Sequence, residues 1–174
     1  LVGSEMCIRD RREGARVTRD EMAEAIRAAD DRLKTLAPSI IAAADTPLSS
    51  GDWRVRDALS HVAARGNPIP RTLARLNEAT DPSGNPNPIR DIHEINAEQV
   101  RDRSHASAED LIRETIEGHR EALSGLDELD DDVLERRLVV AFAPGELSVA
   151  EFIHLAGPRH EGNHLTDIET ALGH

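Results

Sequence analysis

The sequence predicts an all-α protein: an up-down-up-down four-helix bundle with one or two short extra helices. Three observations carry that prediction. Aromatic residues are scarce, with one Trp, two Phe and no Tyr, so the core must be built from Leu, Ile, Val and Ala. Such a core suits packed helices better than a sheet. Apolar residues recur at helical spacing through most of the chain. Finally, Thr18-x-x-Glu21, Ser107-x-x-Asp110 and Ser148-x-x-Glu151 each set a hydroxyl before an apolar run and an acid three residues later. The hydroxyl caps a free backbone N–H and the acid reaches back, so each marks a helix start.

Residues 1–16 are expected to be a disordered, non-native leader, because LVGSEMCIRDR reads like translated adapter sequence rather than the start of a domain. Cys7, the only cysteine, lies there. The expected bundle domain, residues 17–174, then has no disulfide and no thiol nucleophile, which suits a reducing cytoplasm. Behind Thr18, the residues Met22, Ile26, Ala29, Leu33 and Leu36 form a narrow seam that Pro38 is expected to end or kink. A second helix follows SSGDW, with Trp53, Val55, Ala58, Leu59 and Val62 apolar, and ends near Gly66-Asn67-Pro68. A shorter helix covers PRTLARLNEA, and DPSGNPNP at 81–88 is a loop on composition.

Ile89, Ile92, Ile95 and Val100 support a helix over about 88–103. Behind Ser107 come Ile112, Ile116, Leu123 and Leu126, with His119 in the same stripe. RRLVVAFAPGEL is the one segment that reads as extended, a short strand or hairpin. Behind Ser148, the positions Val149, Phe152, Ile153, Ala156, Ile168 and Leu172 define a face that also carries His160 and His164.

Charge narrows the partners. A net charge of -12, with the basic residues scattered among acids, argues against a nucleic-acid or anionic-membrane surface. No apolar run approaches the ~20 residues of a spanning helix.

His160-Glu-Gly-Asn-His164 has the spelling of a zinc protease motif. Two histidines four apart on a helix project from one face and can share a metal, and the flanking apolar positions turn that face inward. Zinc needs at least a third protein ligand. Proteases usually take it from downstream, but here a plain amphipathic tail follows, and Gly162 and Asn163 are weak helix formers within the motif. His61, near the apolar face of the second helix, is the better third ligand. The residues alone leave it two readings: a ligand, or a partly buried histidine bonded to a backbone carbonyl. The His160–His164 pair has its own plain reading, since eight histidines produce such a spacing by chance.

Other residues also carry two readings. Asp57, one turn before His61, either orients that ring as an outer-shell acceptor or stabilises the helix start through the dipole. Asp167, three after His164, is a similar case. Glu161 would be the base of a protease, but a neighbour of His160 is rotated ~100° away, so it is expected to be solvated. Trp53 reads as a core plug or a substrate contact, and His119 as a packed or substrate-lining residue. His93, His105, His154 and His174 are expected at the surface. Leu73, Leu76 and the 38–41 region are the candidate faces of a homodimer.

GDWRVRDALSHVAA is similar to the Trp-x-x-x-Asp-x-x-x-His stretch of the DinB-like metal-dependent four-helix bundles, and RHEGNHLTDIETAL to their closing His-x-x-x-His helix. The stretch from Ile95 to Leu134 resembles the N-terminal domain of mycothiol-dependent maleylpyruvate isomerase, including an Asn, here Asn96, before a basic helix. His160 matches the three-histidine pattern of the stand-alone DinB-like and bacillithiol-transferase proteins. The resemblance implies a divalent metal held by His61, His160 and His164, with zinc first and nickel or iron as alternatives. It implies activation of a low-molecular-weight thiol such as mycothiol, for S-transfer to or isomerisation of a small electrophile. Trp53, Asn96 and His119 become candidate substrate contacts, and Arg101 and Arg103 candidate thiol contacts. Two other readings stand beside it: a non-catalytic bundle that sequesters metal or a small ligand, and a structural dimer with a vestigial site.

Overall fold

The computed structural model describes residues 16–49, 51–80, 91–140 and 145–174, with the backbone alone at 78–80. The expected leader with Cys7, save Arg16, and the expected loop 81–88 lie outside the described residues.

Helix α1 (Arg19–Ala42) starts at the Thr18 capping box and runs through Pro38 rather than ending there. Leu36 and Ile40, on either side of the proline, are both anchored in the core, which holds the helix together across the lost hydrogen bond. The chain continues with α2 (Val55–Ala63), α3 (Ile69–Thr80) and α4 (Ile92–Asp102). Helices α5 (Ala108–Glu128) and α6 (Asp131–Glu135) follow. The extended segment is an antiparallel hairpin of β1 (Arg137–Val139) and β2 (Glu146–Ser148), with Leu138 opposite Leu147. The chain closes with α7 (Val149–His154) and α8 (His160–Leu172).

The expected four-helix bundle consists of α1, α2, α5 and α8. Around it α1 touches α5, α5 touches α2, α2 touches α8 and α8 returns to α1, so α1 and α2 face each other across the diagonal. Helix α4 lies outside, against α2, and α3 packs on α7 and β1.

The expected continuous face over 149–172 is broken. Between α7 and α8 the residues Leu155–Arg159 widen into a π-type turn, in which Gly157 takes φ -105° and ψ -109°, outside the helical range. Pro158 has no N–H to continue the ladder. Such single wide turns within a helix recur at functional sites. Gly157 also lies against the corner after α2, where a Cβ on it would come within 2.7 Å of Pro68 Cγ. At the same corner a Cβ on Gly118 of α5 would meet Gly66 at 2.9 Å. Two glycines thus let α2 settle between α5 and the turn that leads into α8.

The apolar core is split in two. One cluster holds Met22, Ile26, Ala122, Leu126, Phe152 and Ile153; the other holds Leu33, Leu36, Leu59, Leu111, Leu165 and Ile168. On α1, α5 and the α7–α8 segment, polar residues stand between these two sets: Asp30, His119, and His160 with Glu161. A polar layer therefore crosses the bundle, and α8 is keyed to α1 beside it. Arg32 Nε donates to Glu169 Oε1 at 2.8 Å and its Nη1 to the Gly162 carbonyl at 3.0 Å. Leu76, a candidate for a dimer face, is instead buried in the first cluster because α3 turns it onto α7, while Ile41 stays exposed.

Candidate metal centre

His61 comes from α2, and His160 and His164 from the first two turns of α8. Helix periodicity places the second pair on one face, and the packing of α2 on α8 brings His61 to the same level. His61 Nε2 is 2.8 Å from His160 Nε2, and His164 Nε2 is 3.2 Å from the same atom. The ligand atoms of all three rings lie within 4.8 Å of one another. Nitrogens bound tetrahedrally at ~2.0–2.1 Å from zinc stand about 3.3 Å apart, so small ring adjustments fit this triad to such an ion.

The surroundings fix which nitrogen faces the centre. His61 is 1 % exposed, and its Nδ1–H donates to Gln99 Oε1 of α4 at 2.7 Å. That leaves the Nε2 lone pair for the centre. Trp53 packs on two of the rings, tilted against His61 at 5.3 Å between centroids and stacked on His164 at 5.9 Å. The tryptophan at the start of α2 thus serves as one wall of the centre.

All three imidazoles are held neutral. Burial, then the charges of Arg65, His164 and His160, push His61 down to about 3 despite the Gln99 bond. Burial, the two neighbours' charges of His164 and Arg65, and Arg71 push His160 to about 3 as well. Burial also lowers His164, with Asp167 opposing and Arg65 assisting. Neutral rings can donate lone pairs without first shedding protons.

Asp57 is not the partner of His61. Its Oδ2 accepts the Arg54 backbone N–H at 2.9 Å and Arg54 Nε at 3.1 Å, because a carboxylate at this position of a helix turns back to the free N–H groups of the first turn. Burial raises its pKa, but the bonds from Arg54 outweigh that and leave it lowered. Of the two readings of Asp57, support of the helix start is the one these bonds match, and Gln99 takes the outer-shell role of the other. Asp167 is half-buried and acts on His164 through its charge. Asn96, three residues before Gln99 on α4, is half-buried, and its Oδ1 has no hydrogen-bond partner among the described residues.

Glu161 departs from expectation, while His119 follows the packed one of its two readings. Glu161 is 6 % exposed rather than solvated, because it points away from the triad into the polar layer. There His119 Nε2–H donates to Glu161 Oε2 at 2.7 Å, and its Nδ1–H to Asp30 Oδ1 at 3.2 Å. Lys34 in turn binds Asp30 at 2.5 Å. Burial lowers the His119 pKa, but the bonds and charges of Glu161 and Asp30 prevail and raise it. With both ring nitrogens committed to carboxylates, His119 has none left for a substrate. His93, His105 and His174 are exposed as expected, whereas His154 is half-buried.

Sequence reasoning passed over Gln99, Arg65 and Arg71. A signal existed for Arg65: it stands four after His61, and so continues the same side of α2.

A helical bundle with a three-histidine centre is the class these features define. No protein-family model matches the chain, and no curated protein matches it in sequence. Among solved structures it is similar to YfiT from Bacillus subtilis, described as a probable metal-dependent hydrolase with an unusual four-helix bundle topology. The identity is 20 % and the TM-score 0.64, over 94 % of this chain and 93 % of that one. It is also similar to an uncharacterised protein from Escherichia coli UTI89, at 16 % identity and TM-score 0.65 over 90 % and 93 % of the two chains. A third is the colibactin self-resistance protein ClbS, solved in complex with a dsDNA, at 11 % identity and TM-score 0.64 over 90 % and 96 %. At these identities the likeness establishes the bundle fold. No described helix is long and apolar enough to cross a membrane.

Proposed function

We propose that this protein is a divalent-metal-dependent enzyme acting on small molecules, with His61, His160 and His164 as the metal ligands. The observation that carries the reading is the convergence of three neutral imidazole nitrogens, from helices far apart in sequence, on one point. A bound divalent ion there supplies an open position and a full positive charge, which lowers the pKa of a water or thiol that reaches it. Three neutral ligands suit zinc first, and nickel or iron also.

The chain's own residues set up the rest. Gln99 orients His61. Trp53 shields two of the rings from water on one side. Asn96 offers an unmatched acceptor to the donor groups of a bound molecule. The one cysteine, Cys7, lies outside the described residues and none stands among those that build the centre, which supports a sulfur nucleophile brought by a co-substrate. We therefore read the co-substrate as a low-molecular-weight thiol of the mycothiol kind, and the reaction as S-transfer to, or isomerisation of, a small electrophile. The DNA of the ClbS complex is not carried over, since a net charge of -12 repels a phosphate backbone.

The test is metal stoichiometry on purified protein together with turnover of a model electrophile, with and without an added thiol. About one divalent ion per chain, and thiol-dependent turnover abolished by a chelator, is the expected result. Metal without thiol-dependent turnover supports a sequestering bundle instead, and no metal at all removes the reading.

A further inference from the structure

We propose that Arg65 and Arg71 form an oxyanion-binding subsite beside the three-histidine centre, so that the small molecule bound there carries a carboxylate or phosphate group. This deepens the reading of the centre as an enzyme site and rests on it for the role of the anion, though not for its binding.

The first observation is a pair of orphaned donors. Arg65 Nε and Arg71 Nη2 are both buried with no hydrogen-bond partner among the described residues. Among the described residues neither guanidinium forms an ion pair. That is not for want of acids, since the chain carries 33 Asp and Glu against 21 Lys and Arg. Other arginines find them readily: Arg32 pairs with Glu169, Arg54 with Asp45 and Asp57, Arg103 with Glu114. Both residues are half-buried, and a guanidinium does not shed its proton to escape burial, so a buried N–H left without an acceptor is open to a partner that binds from outside.

The second observation is position. Arg65 follows the end of α2, four residues after His61, and Arg71 stands in the first turn of α3. The corner that joins them carries Pro68, which packs on Gly157 of the wide turn leading into His160. The charge of Arg65 is felt by all three histidines and that of Arg71 by His160, and Arg65 and Arg75 in turn depress Arg71 to about 10, after burial. A group of arginines with no ion-paired carboxylate among the described residues stands out in a chain of net charge -12. Two forked donors suit a planar carboxylate or a phosphate, which accept bidentate bonds. An anion seated on them lies next to the centre, with the rest of the molecule able to reach it.

Calorimetric titration of malonate, inorganic phosphate and neutral malonamide into chelator-treated and zinc-loaded protein tests this. The variants are Arg71→Gln, Arg65→Gln and the charge-keeping Arg71→Lys. The wild type is expected to bind malonate or phosphate with or without zinc, and the stronger of the two identifies the anion class. Malonamide is not expected to bind. Each Gln variant should weaken the anion about tenfold or more at unchanged zinc stoichiometry, with Arg71→Lys between. Without ligand, Arg71→Gln should unfold at the same or a higher temperature, since it removes an unpaired buried charge; a merely structural arginine would give a lower one. Equal anion affinity in wild type and both Gln variants, no binding in the millimolar range, or equal binding of malonamide overturns the subsite. Arginine-dependent anion binding in a protein that never takes up zinc keeps the subsite and removes the metal reading alone.

Discussion

Two groups of buried histidine share one stretch of α8, and they have opposite electrostatics. His160 faces the triad, where neighbouring rings, Arg65 and burial all favour the neutral form. Glu161, the next residue, faces the other way and meets His119, where two carboxylates favour the charged form. A helix turns ~100° per residue, so adjacent side chains can serve different chemistry without disturbing each other. The triad is a set of ring nitrogens that converge on one point. The His119–Glu161–Asp30 layer is a closed set whose donors have acceptors. The ring nitrogens of His119 already have partners, although Glu161 Oε1 has none among the described residues, whereas the triad nitrogens turn their lone pairs to one another.

The largest effect expected from this contrast is on metal. His61→Ala should lose most of the bound ion, although His61 lies about a hundred residues from the pair, and plasma emission spectroscopy on purified protein measures it. His119→Ala should retain full metal. Loss of metal in the His119 variant, or retention in the His61 variant, would collapse the distinction between the two groups.

Stability should move the other way. His119→Ala leaves Glu161 buried without its partner and should cost roughly 3 kcal/mol in urea unfolding. Glu161→Gln should also destabilise, by roughly 1–3 kcal/mol, while keeping the metal. Loss of all activity in that variant at normal metal content would instead make Glu161 the base of a hydrolase.

The pH dependence of the metal-free protein sharpens the contrast. His61 and His160 are lowered to about 3 in the fold, so between pH 6.5 and about 3 the unfolded chain holds protons that the folded chain does not. Stability therefore falls as the pH drops through that window, by on the order of 1 kcal/mol per pH unit for each ring. His119 is raised, so its contribution is fully present below pH ~6.5 and is lost as the pH climbs through its folded pKa. Urea midpoints across pH should show the acid-side fall reduced by His61→Ala and the alkaline-side fall reduced by His119→Gln. A single flat profile for all three proteins would refute the assignment.

The smallest effects compare the two candidates for orienting His61. Gln99→Ala should weaken metal binding by about tenfold, at the low end for an outer-shell partner. Asp57→Ala should leave affinity unchanged and cost about 1 kcal/mol of stability as a lost cap. The reverse pattern would restore Asp57 to the role its spacing first suggested.

The sequence alone determined the helix starts and faces. Thr18, Ser107 and Ser148 act as caps, the apolar seams pack inward, the hairpin falls where the one extended segment was read, and His160 and His164 share a face. These are local properties, since a capping box spans four consecutive residues and a helical face follows from a fixed period. Tertiary structure decided the rest. The break at Gly157 is matched to Pro68, which lies against it from the corner between α2 and α3, and the burial of Glu161 depends on His119 being level with it across the bundle. The preference of His61 for Gln99 over Asp57 depends on α4 lying against α2, and the lack of an ion pair at Arg65 and Arg71 on no acid among the described residues being brought to them. A period fixes a side chain's direction about its own helix axis, whereas its partner depends on how far neighbouring helices slide and turn. That is set by the packing of the whole core.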